Sequence, residues 1–333
     1  MFVISMVKDM TNKPKFSIIV ATRDRRSDLY RLLSSLKKTG ILTREDIEVI
    51  IADNNSSDES IKNVCIEFGV TYLLEKKRGK SFALNAAIKK AKGSYLIFAD
   101  DDVVIKDSRW IDKLYSHFKN PFIGYVSGNV VANHLKSESQ RVWEKKGGLS
   151  KGAVPKYFDK KFLSSFKIKP WPLTKICAGA NCMIPKKIIL RAGGYCTLFG
   201  PGGLVGHGES LIIGYEIIRL GYELYYDPLA KVYHNHPEKE SEIKKKLFTY
   251  AIGDTALHMY LFMNYRDFRS LYWALIGHQL YLLNNMIKRL RGKYPLPLDF
   301  IIFSMAGSIS GPWIFIYRYE LINFIKHLFS SKT

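Results

Sequence analysis

Four apolar runs in the first hundred residues have the pattern of buried β-strands. They cover residues 15–22, 48–53, 70–74 and 95–100 and are rich in β-branched or aromatic side chains, as buried strands are. Between them, apolar residues recur at three- and four-residue spacing, which predicts helices with one buried face. This alternation predicts an α/β fold with a doubly wound, mostly parallel sheet.

Polar residues follow three of these strands where each strand ends. Thr22 and Arg25 follow the first strand, Asp53 ends the second, and three consecutive aspartates occupy positions 100–102 after the fourth. The carboxyl ends of parallel strands meet at one edge of a sheet, where α/β proteins bind ligands. Adjacent carboxylates repel each other, so a cation stabilises them, and Mg²⁺ and Mn²⁺ prefer oxygen ligands of this kind. The triplet therefore indicates either a metal site that holds a phosphate-bearing substrate or a solvated acidic turn.

Four segments together resemble the nucleotide-sugar half of family 2 glycosyltransferases. They are Val20-Ala-Thr-Arg-Asp-Arg25, Val49-Ile-Ile-Ala-Asp-Asn-Asn-Ser-Ser-Asp58, Arg78-Gly-Lys-Ser-Phe-Ala-Leu-Asn85 and Phe98-Ala-Asp-Asp-Asp102. Downstream, residues 177–184, 191–195 and 221–234 are similar to later segments of the same family. The resemblance covers about residues 14–240, in the expected order. It implies a GT-A fold and the inverting transfer of a sugar from a nucleotide diphosphate sugar.

The resemblance assigns a set of residues in the first half to the nucleotide: Thr22, Arg25, Asp53, Arg78, Lys80, Asp100 and Asp101. In this assignment Asp53 contacts the ribose or accepts a hydrogen bond from the imide N–H of a uracil-type base, because a carboxylate only accepts. A UDP-sugar is therefore the favoured donor. Arg78 and Lys80 flank a glycine before a helix, where a diphosphate binds readily. The alternative is that both are ordinary surface charges.

The metal ligands implied by the resemblance are Asp102 and His234, which would hold Mn²⁺ or Mg²⁺. A cation there would neutralise the charge that builds on the leaving nucleotide. His234 follows an apolar strand and precedes Asn235 and His236. A surface turn is the alternative for His234, because Pro237 comes soon after. The role of His236 stays open.

The general base departs from the family pattern. Family members place an aspartate after Gly-Glu at the start of a helix, whereas residues 206–210 here read Gly-His-Gly-Glu-Ser. A serine hydroxyl cannot act as a base at neutral pH without an activating partner. Glu209 is therefore the candidate catalytic base and His207 the weaker alternative. Asn181, His207 and Ser210 are expected on the acceptor side, under a mobile glycine-rich loop at residues 199–208.

Charge and composition extend the prediction to a membrane. The 333 residues carry a net charge of +21, which implies an anionic partner. Nucleic acid is not expected because no binding motif for it is present, so a membrane surface with anionic lipids is favoured. From about residue 244 the chain is helical in pattern, aromatic and basic, as interfacial segments are. The uncharged stretch at residues 300–317 is borderline in length for a span, so a re-entrant or interface-lying hairpin stays open beside a span.

Four cysteines lie without metal-site spacing, which predicts reduced thiols and a protein on the cytoplasmic face. The expected organisation is an N-terminal tail (1–13), a catalytic domain with a nucleotide-sugar half (14–130) and an acceptor half (131–243), and a membrane-associated helical region (244–333).

The expected enzyme is a metal-dependent inverting hexosyltransferase. It would pass a sugar to a glycan or lipid-linked acceptor in polysaccharide or glycoconjugate synthesis. Two alternatives stay open. A nucleotidyltransferase also holds a metal on strand-end carboxylates, and it would release pyrophosphate. A nucleotide-sugar-binding protein that has lost catalysis would explain the serine in the base position.

Overall fold

The computed structural model describes residues 13–145 and 148–330, with side chains described as far as Glu320. Within these residues nine strands form one sheet: β1 (Phe16–Thr22), β2 (Ile47–Asp53), β3 (Thr71–Leu74), β4 (Tyr95–Asp100), β5 (Val103–Val104), β6 (Ile123–Ala132), β7 (Lys156–Phe158), β8 (Asn181–Pro185) and β9 (Glu223–His234). The four strands predicted in the first hundred residues are all present. The predicted N-terminal tail lies outside the described residues except for Lys13.

Helices cover both faces of the sheet and form the C-terminal part of the chain. They are α1 (Arg26–Lys38), α2 (Ser60–Phe68), α3 (Lys80–Lys90), α4 (Trp110–Ser116), α5 (Glu138–Lys145), α6 (Lys160–Ser164), α7 (Lys186–Arg191), α8 (Glu209–Arg219), α9 (Glu240–Tyr265), α10 (Phe268–Tyr272), α11 (His278–Leu290) and α12 (Leu298–Ser330). Short 3-10 turns cover Ile41–Thr43, His117–Lys119 and Leu173–Lys175, and a π-helical turn at Trp273–Gly277 joins α10 to α11.

The sheet is mixed: the predicted parallel strands form its first part, and antiparallel pairs join them to the rest. Its strand order is β3-β2-β1-β4-β8-β6-β9-β5, and β7 pairs with the first part of β9. The strands β3, β2, β1 and β4 are parallel neighbours, and β6 and β9 are parallel to each other. The strand β8 runs antiparallel between β4 and β6, which the sequence pattern did not predict.

Both faces of the sheet are buried, which explains the continuous apolar sequence of its strands. In β1, Ile19 packs in the cluster that contains α3, whereas Ile18 and Val20 pack in the cluster that contains α1. Full burial of such a side chain contributes about 1.5–3 kcal/mol. The four cysteines form no disulfide; three are buried and Cys196 is partly exposed.

The long helices α9 and α12 pack closely against each other and against the main core. A side chain at Gly307 would meet the carbonyl oxygen of Phe248, and one at Gly311 would meet Thr255 Oγ1 at 2.1 Å. Glycine at both positions therefore allows the two backbones to approach. Leu257 and Phe315 belong to the same buried cluster as α3. The predicted boundary at residue 243/244 falls inside α9, so the C-terminal helices continue the core of the sheet domain.

One helix in the described part of the chain is long and apolar enough to cross a membrane. It covers Leu298–Glu320, with a mean hydropathy of 1.5, and 44% of its apolar window is buried against the protein. Its other face is exposed and apolar, as Ile302, Ile309 and Trp313 show.

Candidate active site

The polar strand ends predicted to meet do lie side by side. Thr22 at the end of β1 is the register partner of Asp53 on β2, and the neighbouring Ala21 pairs with Asp100 on β4. Beyond the aspartates, β5 pairs with the end of β9 so that Val103 lies opposite His234. Parallel pairing of β1, β2 and β4 and antiparallel pairing of β5 with β9 therefore bring four functional positions to one edge.

Both carboxylate oxygens of Asp101 are hydrogen-bonded within the protein, and its contact with a nucleotide stays a prediction. Its carboxylate accepts hydrogen bonds from Thr22 Oγ1 at 2.7 Å and from Arg25 Nη1 at 2.7 Å. Burial raises the pKa of Asp101 to about 7, although Arg25 acts in the opposite direction. The other end of the Arg25 guanidinium donates to Asp102 Oδ2 at 2.9 Å. Arg25 therefore positions two of the three aspartates, and Thr22 helps to hold one of them.

Asp100, Asp102 and His234 form a group that can bind a metal. One potential ligand atom from each lies within 4.8 Å of the others. Asp102 Oδ1 is buried and receives no hydrogen bond from the described residues, and it lies 3.1 Å from His234 Nε2. Two carboxylates and an imidazole suit Mn²⁺, and carboxylates also suit Mg²⁺. The residues present therefore fit a divalent cation. Burial would raise the pKa of Asp102, but His234 and Arg25 outweigh it and hold that pKa below its ordinary value.

Lys80 links the aspartates to the candidate base. Its ammonium donates to Asp100 Oδ1 at 2.6 Å and lies 3.4 Å from Glu209 Oε1. Burial would lower the pKa of Lys80, but these two carboxylates raise it well above its ordinary value. The loop before α3 is held by Asn54, whose Oδ1 accepts from the backbone N–H of Gly79 at 2.7 Å. Arg78, on the same loop, is exposed.

Glu209 and Ser210 open α8 and are both buried. A Cβ placed on Gly200 would lie 3.3 Å from the Glu209 carboxyl group, and one on Gly179 would lie 3.3 Å from Ser210 Cβ. Two glycines therefore leave the space that these side chains occupy. The glycine-rich loop is tied to α3, since the Lys80 backbone N–H donates to the Pro201 carbonyl at 2.8 Å.

Helix α9 contributes side chains to the site that the sequence analysis did not identify. Tyr250 packs against His207 with ring centroids 4.3 Å apart and the ring planes tilted by 33°. Burial lowers the pKa of His207 and also that of Lys246. Lys246 lies close enough to Asp102 and Asp100 for their negative charges to act in the opposite direction on its pKa. Lys246 belongs to a run of three lysines that resembled surface charge in the sequence. Only the three-dimensional packing distinguishes it from its neighbours.

Two of the predicted site residues, Asp53 and Asn181, form hydrogen bonds with other groups of the protein. Asp53 accepts from the Ser56 backbone N–H and hydroxyl and from the Tyr72 hydroxyl, and its contact with a nucleotide stays a prediction. Asn181 is fully buried. Its amide accepts from Trp110 Nε1 and donates to the carbonyl groups of residues 129 and 230, so its position gives the predicted acceptor-side role no support.

The sheet and the clustered carboxylates define an α/β protein with a candidate ligand site at one edge of its sheet, and comparison with known proteins identifies the family. The sequence profile of glycosyl transferase family 2 matches residues 17–191, more than half of the chain. The chain therefore belongs to glycosyl transferase family 2 and is a glycosyltransferase.

Two curated relatives that match about two thirds of this chain are longer proteins. The poly-beta-1,6-N-acetyl-D-glucosamine synthase of Staphylococcus epidermidis is 27% identical over 219 residues, which are 62% of this chain and 47% of that protein. The pre-mycofactocin glycosyltransferase of Mycobacterium tuberculosis is 22% identical over 226 residues, which are 66% of this chain and 42% of that protein. The chain thus spans less than half the length of these two relatives.

A solved structure shares the fold over nearly the whole chain. It is a mannosyltransferase from Pyrobaculum calidifontis in complex with GDP-Man and Mn²⁺. The TM-score is 0.61 at 15% identity, and the match covers 91% of this chain and 88% of that one. The predicted GT-A fold is therefore confirmed.

Proposed function

We propose that this glycosyltransferase performs metal-dependent, inverting transfer of a sugar from a nucleotide diphosphate sugar to a glycan or lipid-linked acceptor. The observation that carries the proposal is the group formed by Asp100, Asp102 and His234, whose ligand atoms lie within 4.8 Å of one another. Two cations, Arg25 and Lys80, already contact the same carboxylates. A diphosphate that enters this edge of the sheet meets positive charge on the protein side as well as the metal ligands.

In the proposed reaction Asp102 and His234 hold Mn²⁺ or Mg²⁺, with Asp100 beside the ribose or the cation. A divalent cation, when bound, supplies Lewis-acid stabilisation of the leaving nucleoside diphosphate. Lys80 reaches the diphosphate from the start of α3, and the exposed Arg78 on the preceding loop adds a second positive charge. Asp53 lies at the end of β2, where it contacts the ribose or base.

Glu209 is the proposed general base. It removes the proton of the acceptor hydroxyl as the oxygen bonds to the anomeric carbon, and the bond to the diphosphate breaks with its electron pair leaving on the nucleotide. Support comes from its place in the first turn of α8 and its 3.4 Å separation from Lys80, which ties it to the donor side. His207 is the alternative, and its lowered pKa favours the neutral form that a base requires.

We favour a UDP-sugar because Asp53 suits a uracil-type base. The Staphylococcus relative is named for making poly-beta-1,6-N-acetyl-D-glucosamine, which supports an acceptor that is a growing glycan or its lipid-linked precursor. The mannosyltransferase that shares the fold binds GDP-Man with Mn²⁺. A GDP-sugar is therefore the competing donor in any test.

We further propose that the C-terminal helices hold the enzyme on the cytoplasmic face of a membrane rich in anionic lipids. On α12 the exposed residues Ile302, Ile309 and Trp313 lie on one face, as their spacing of seven and four requires. The end of α11 and the following turn expose four basic residues, Lys288, Arg289, Arg291 and Lys293. An apolar stripe beside basic side chains suits an interfacial helix. Because α12 also packs against α9, we assign it an orientation along the membrane surface.

The test is a donor panel with purified full-length protein, with Mn²⁺, with Mg²⁺ and with a chelator. Release of nucleoside diphosphate and attachment of the sugar to an acceptor, both lost with the chelator, are expected. Release of pyrophosphate would indicate the nucleotidyltransferase instead. Binding of a nucleotide sugar without turnover on any glycan or polyprenyl-phosphate acceptor would favour the catalytically inactive alternative.

A further inference from the structure

A chain of three contacts runs from the metal-binding group to a carboxylate on α5. His234 Nδ1 lies 3.0 Å from His236 Nδ1, and His236 Nε2 lies 2.8 Å from Glu144 Oε1. At the other end, His234 Nε2 faces Asp102 Oδ1 at 3.1 Å. Both imidazoles are buried. The sequence alone assigns no role to His236 or to Glu144.

Two neutral imidazoles supply two hydrogens for these three contacts, so one contact must hold two facing acceptors, and the geometry favours one order. An ionised carboxylate accepts but cannot donate, so Glu144 must receive the N–H of His236 Nε2. In a neutral His236, Nδ1 is then an acceptor and receives the N–H of His234 Nδ1. This leaves a lone pair on His234 Nε2, the ring nitrogen that faces Asp102 in the metal-binding group. In this order the two facing acceptors are His234 Nε2 and Asp102 Oδ1, at the longer contact of 3.1 Å, where a divalent cation would bind between them. The opposite order would set two acceptors against each other at the shorter contact of 2.8 Å between His236 and Glu144, which lies away from the metal-binding group.

The packing of α5 holds His236 in this position. Gln140 lies one helical turn before Glu144 and donates from Nε2 to the His236 carbonyl at 2.8 Å. Its own carbonyl oxygen accepts from the backbone N–H groups of residues 136 and 137. Gln140 is fully buried. One face of α5 therefore fixes both the backbone and the ring of His236.

We propose that His236 and Glu144 are positioning residues that hold His234 in the Nδ1–H tautomer, so that Nε2 is ready to bind a divalent cation. The inference rests on the proposed metal-binding role of His234. Partners behind a metal-binding histidine orient the ring, and their loss typically costs about 10–100-fold in metal affinity. Glu144 and His236 do not touch the cation themselves.

The first test measures the tautomer directly in the metal-free, full-length protein. Long-range ¹H–¹⁵N spectra of histidine-labelled protein distinguish Nδ1–H, Nε2–H and doubly protonated rings. The signal missing from His234→Gln identifies His234. We expect the Nδ1–H form at about neutral pH, and its replacement by another form in Glu144→Ala. An Nε2–H or doubly protonated His234 in the unmodified protein would overturn the proposal, whether or not the protein binds metal.

The second test measures Mn²⁺ affinity by titration without nucleotide. His236→Asn keeps an amide group at the position of ring Nδ1, next to His234, whereas His236→Gln moves its amide towards Glu144. We expect Mn²⁺ to bind about 10–100-fold more weakly to Glu144→Ala and His236→Gln, with much of the affinity kept in His236→Asn. Glu138→Ala, an exposed change on the same helix, is the control. The proposal would be overturned if His236→Asn and His236→Gln lost Mn²⁺ affinity equally and in proportion to their fall in melting temperature. That result would show that His236 has only a structural role.

Discussion

Lys80 Nζ lies 3.4 Å from Glu209 Oε1, so the first residue of α3 contacts the first residue of α8. The same ammonium donates to Asp100 Oδ1 at 2.6 Å. One partly buried ammonium group thus holds a carboxylate of the candidate metal site on one side and the candidate base on the other. Because a diphosphate needs the same positive charge, donor binding should weaken the hold of Lys80 on both carboxylates.

Replacing Lys80 should separate nucleotide binding from metal binding. In Lys80→Met the diphosphate loses a charge-assisted hydrogen bond worth about 1.5–3 kcal/mol, so nucleotide affinity should fall by about 10–100-fold. Asp100 is released at the same time, so Mn²⁺ should bind with equal or higher affinity in the absence of nucleotide. Calorimetric titration with each ligand measures both. Lys77→Met, an exposed change on the preceding loop, is the control, and loss of Mn²⁺ binding in Lys80→Met would contradict the assignment.

Asp102 should be essential for metal-dependent donor binding. Asp102→Asn keeps the shape of the side chain but removes the negative charge that holds a hard cation. Thermal-shift titration should then show no added stabilisation by a nucleotide sugar when Mn²⁺ is present, since a ligand raises the melting temperature only if it binds the folded state. Asp101→Asn is the matched comparison because Asp101 is bound to Thr22 and Arg25. Full Mn²⁺ dependence in Asp102→Asn would rule out this metal site.

Glu209→Gln should slow the chemical step and leave donor binding intact. General-base catalysis contributes about 10²–10⁴-fold, and a loss in that range is expected under single-turnover conditions. Ser210→Asp should be neutral or raise activity if it restores the family's base position. The space is limited, because Gly179 lies against the Ser210 side chain. A wild-type rate in Glu209→Gln would transfer the assignment to His207, with His207→Gln as the next variant.

The strand ends could be predicted from the sequence because each strand is specified by a short run of consecutive residues. An apolar run fixes β1, β2 and β4, and parallel pairing then brings Thr22, Asp53 and Asp100 to one edge whatever the rest of the chain does. The metal ligands Asp102 and His234 were implied by the family resemblance, and the pairing of β5 with the end of β9 brings them together with Asp100. The antiparallel strand β8 between β4 and β6 has no such local signature.

The side chains that were missed depend on contacts between distant parts of the chain. Glu144 and Lys246 look like ordinary charges on helices, and only packing places them at the site or behind it. Asn181 shows the reverse case. The resemblance of residues 177–184 to a segment of the family suggested an acceptor-side role for Asn181, which stays a prediction. In the structure its amide binds Trp110 and two backbone carbonyls in the core. A buried amide must satisfy its hydrogen bonds, and sequence spacing does not reveal which partners do so.

Lys151 should make stability depend on pH above neutrality. Burial lowers its pKa from 10.5 to about 8. Between those values the unfolded chain holds a proton that the folded protein has lost, so stability should rise with pH across this window. Below it both states are protonated and the folded state carries a poorly solvated charge. Lys151→Met should therefore stabilise the protein at neutral pH, by at most about 3 kcal/mol.

The advantage of Lys151→Met should shrink as the pH rises towards 10, where the wild-type side chain is neutral in the folded state. Denaturant unfolding of both proteins at several pH values measures the difference. Lys161→Met, at an exposed position, should show no such trend. A constant difference between Lys151→Met and wild type at all pH values would show that Lys151 keeps its ordinary pKa.

Membrane attachment should depend on the exposed face of α12. Removing all residues after 245 would be a poor test, because Leu257 and Phe315 belong to the main core. The combined change of Ile302, Ile309 and Trp313 to Gln alters only side chains that are more than half exposed. Each contributes about 1.5–3 kcal/mol if the bilayer interface buries it fully, so vesicle binding should fall at least about 10-fold.

Flotation with vesicles that contain anionic lipid, at low and high salt, measures that binding. The matched control is Leu229→Gln, since Leu229 is equally exposed but lies on β9. If salt alone releases the wild-type protein, the basic residues after α11 dominate. If release needs detergent, the apolar face of α12 is inserted. Unchanged flotation of the triple variant at both salt concentrations would show that this face does not meet the membrane.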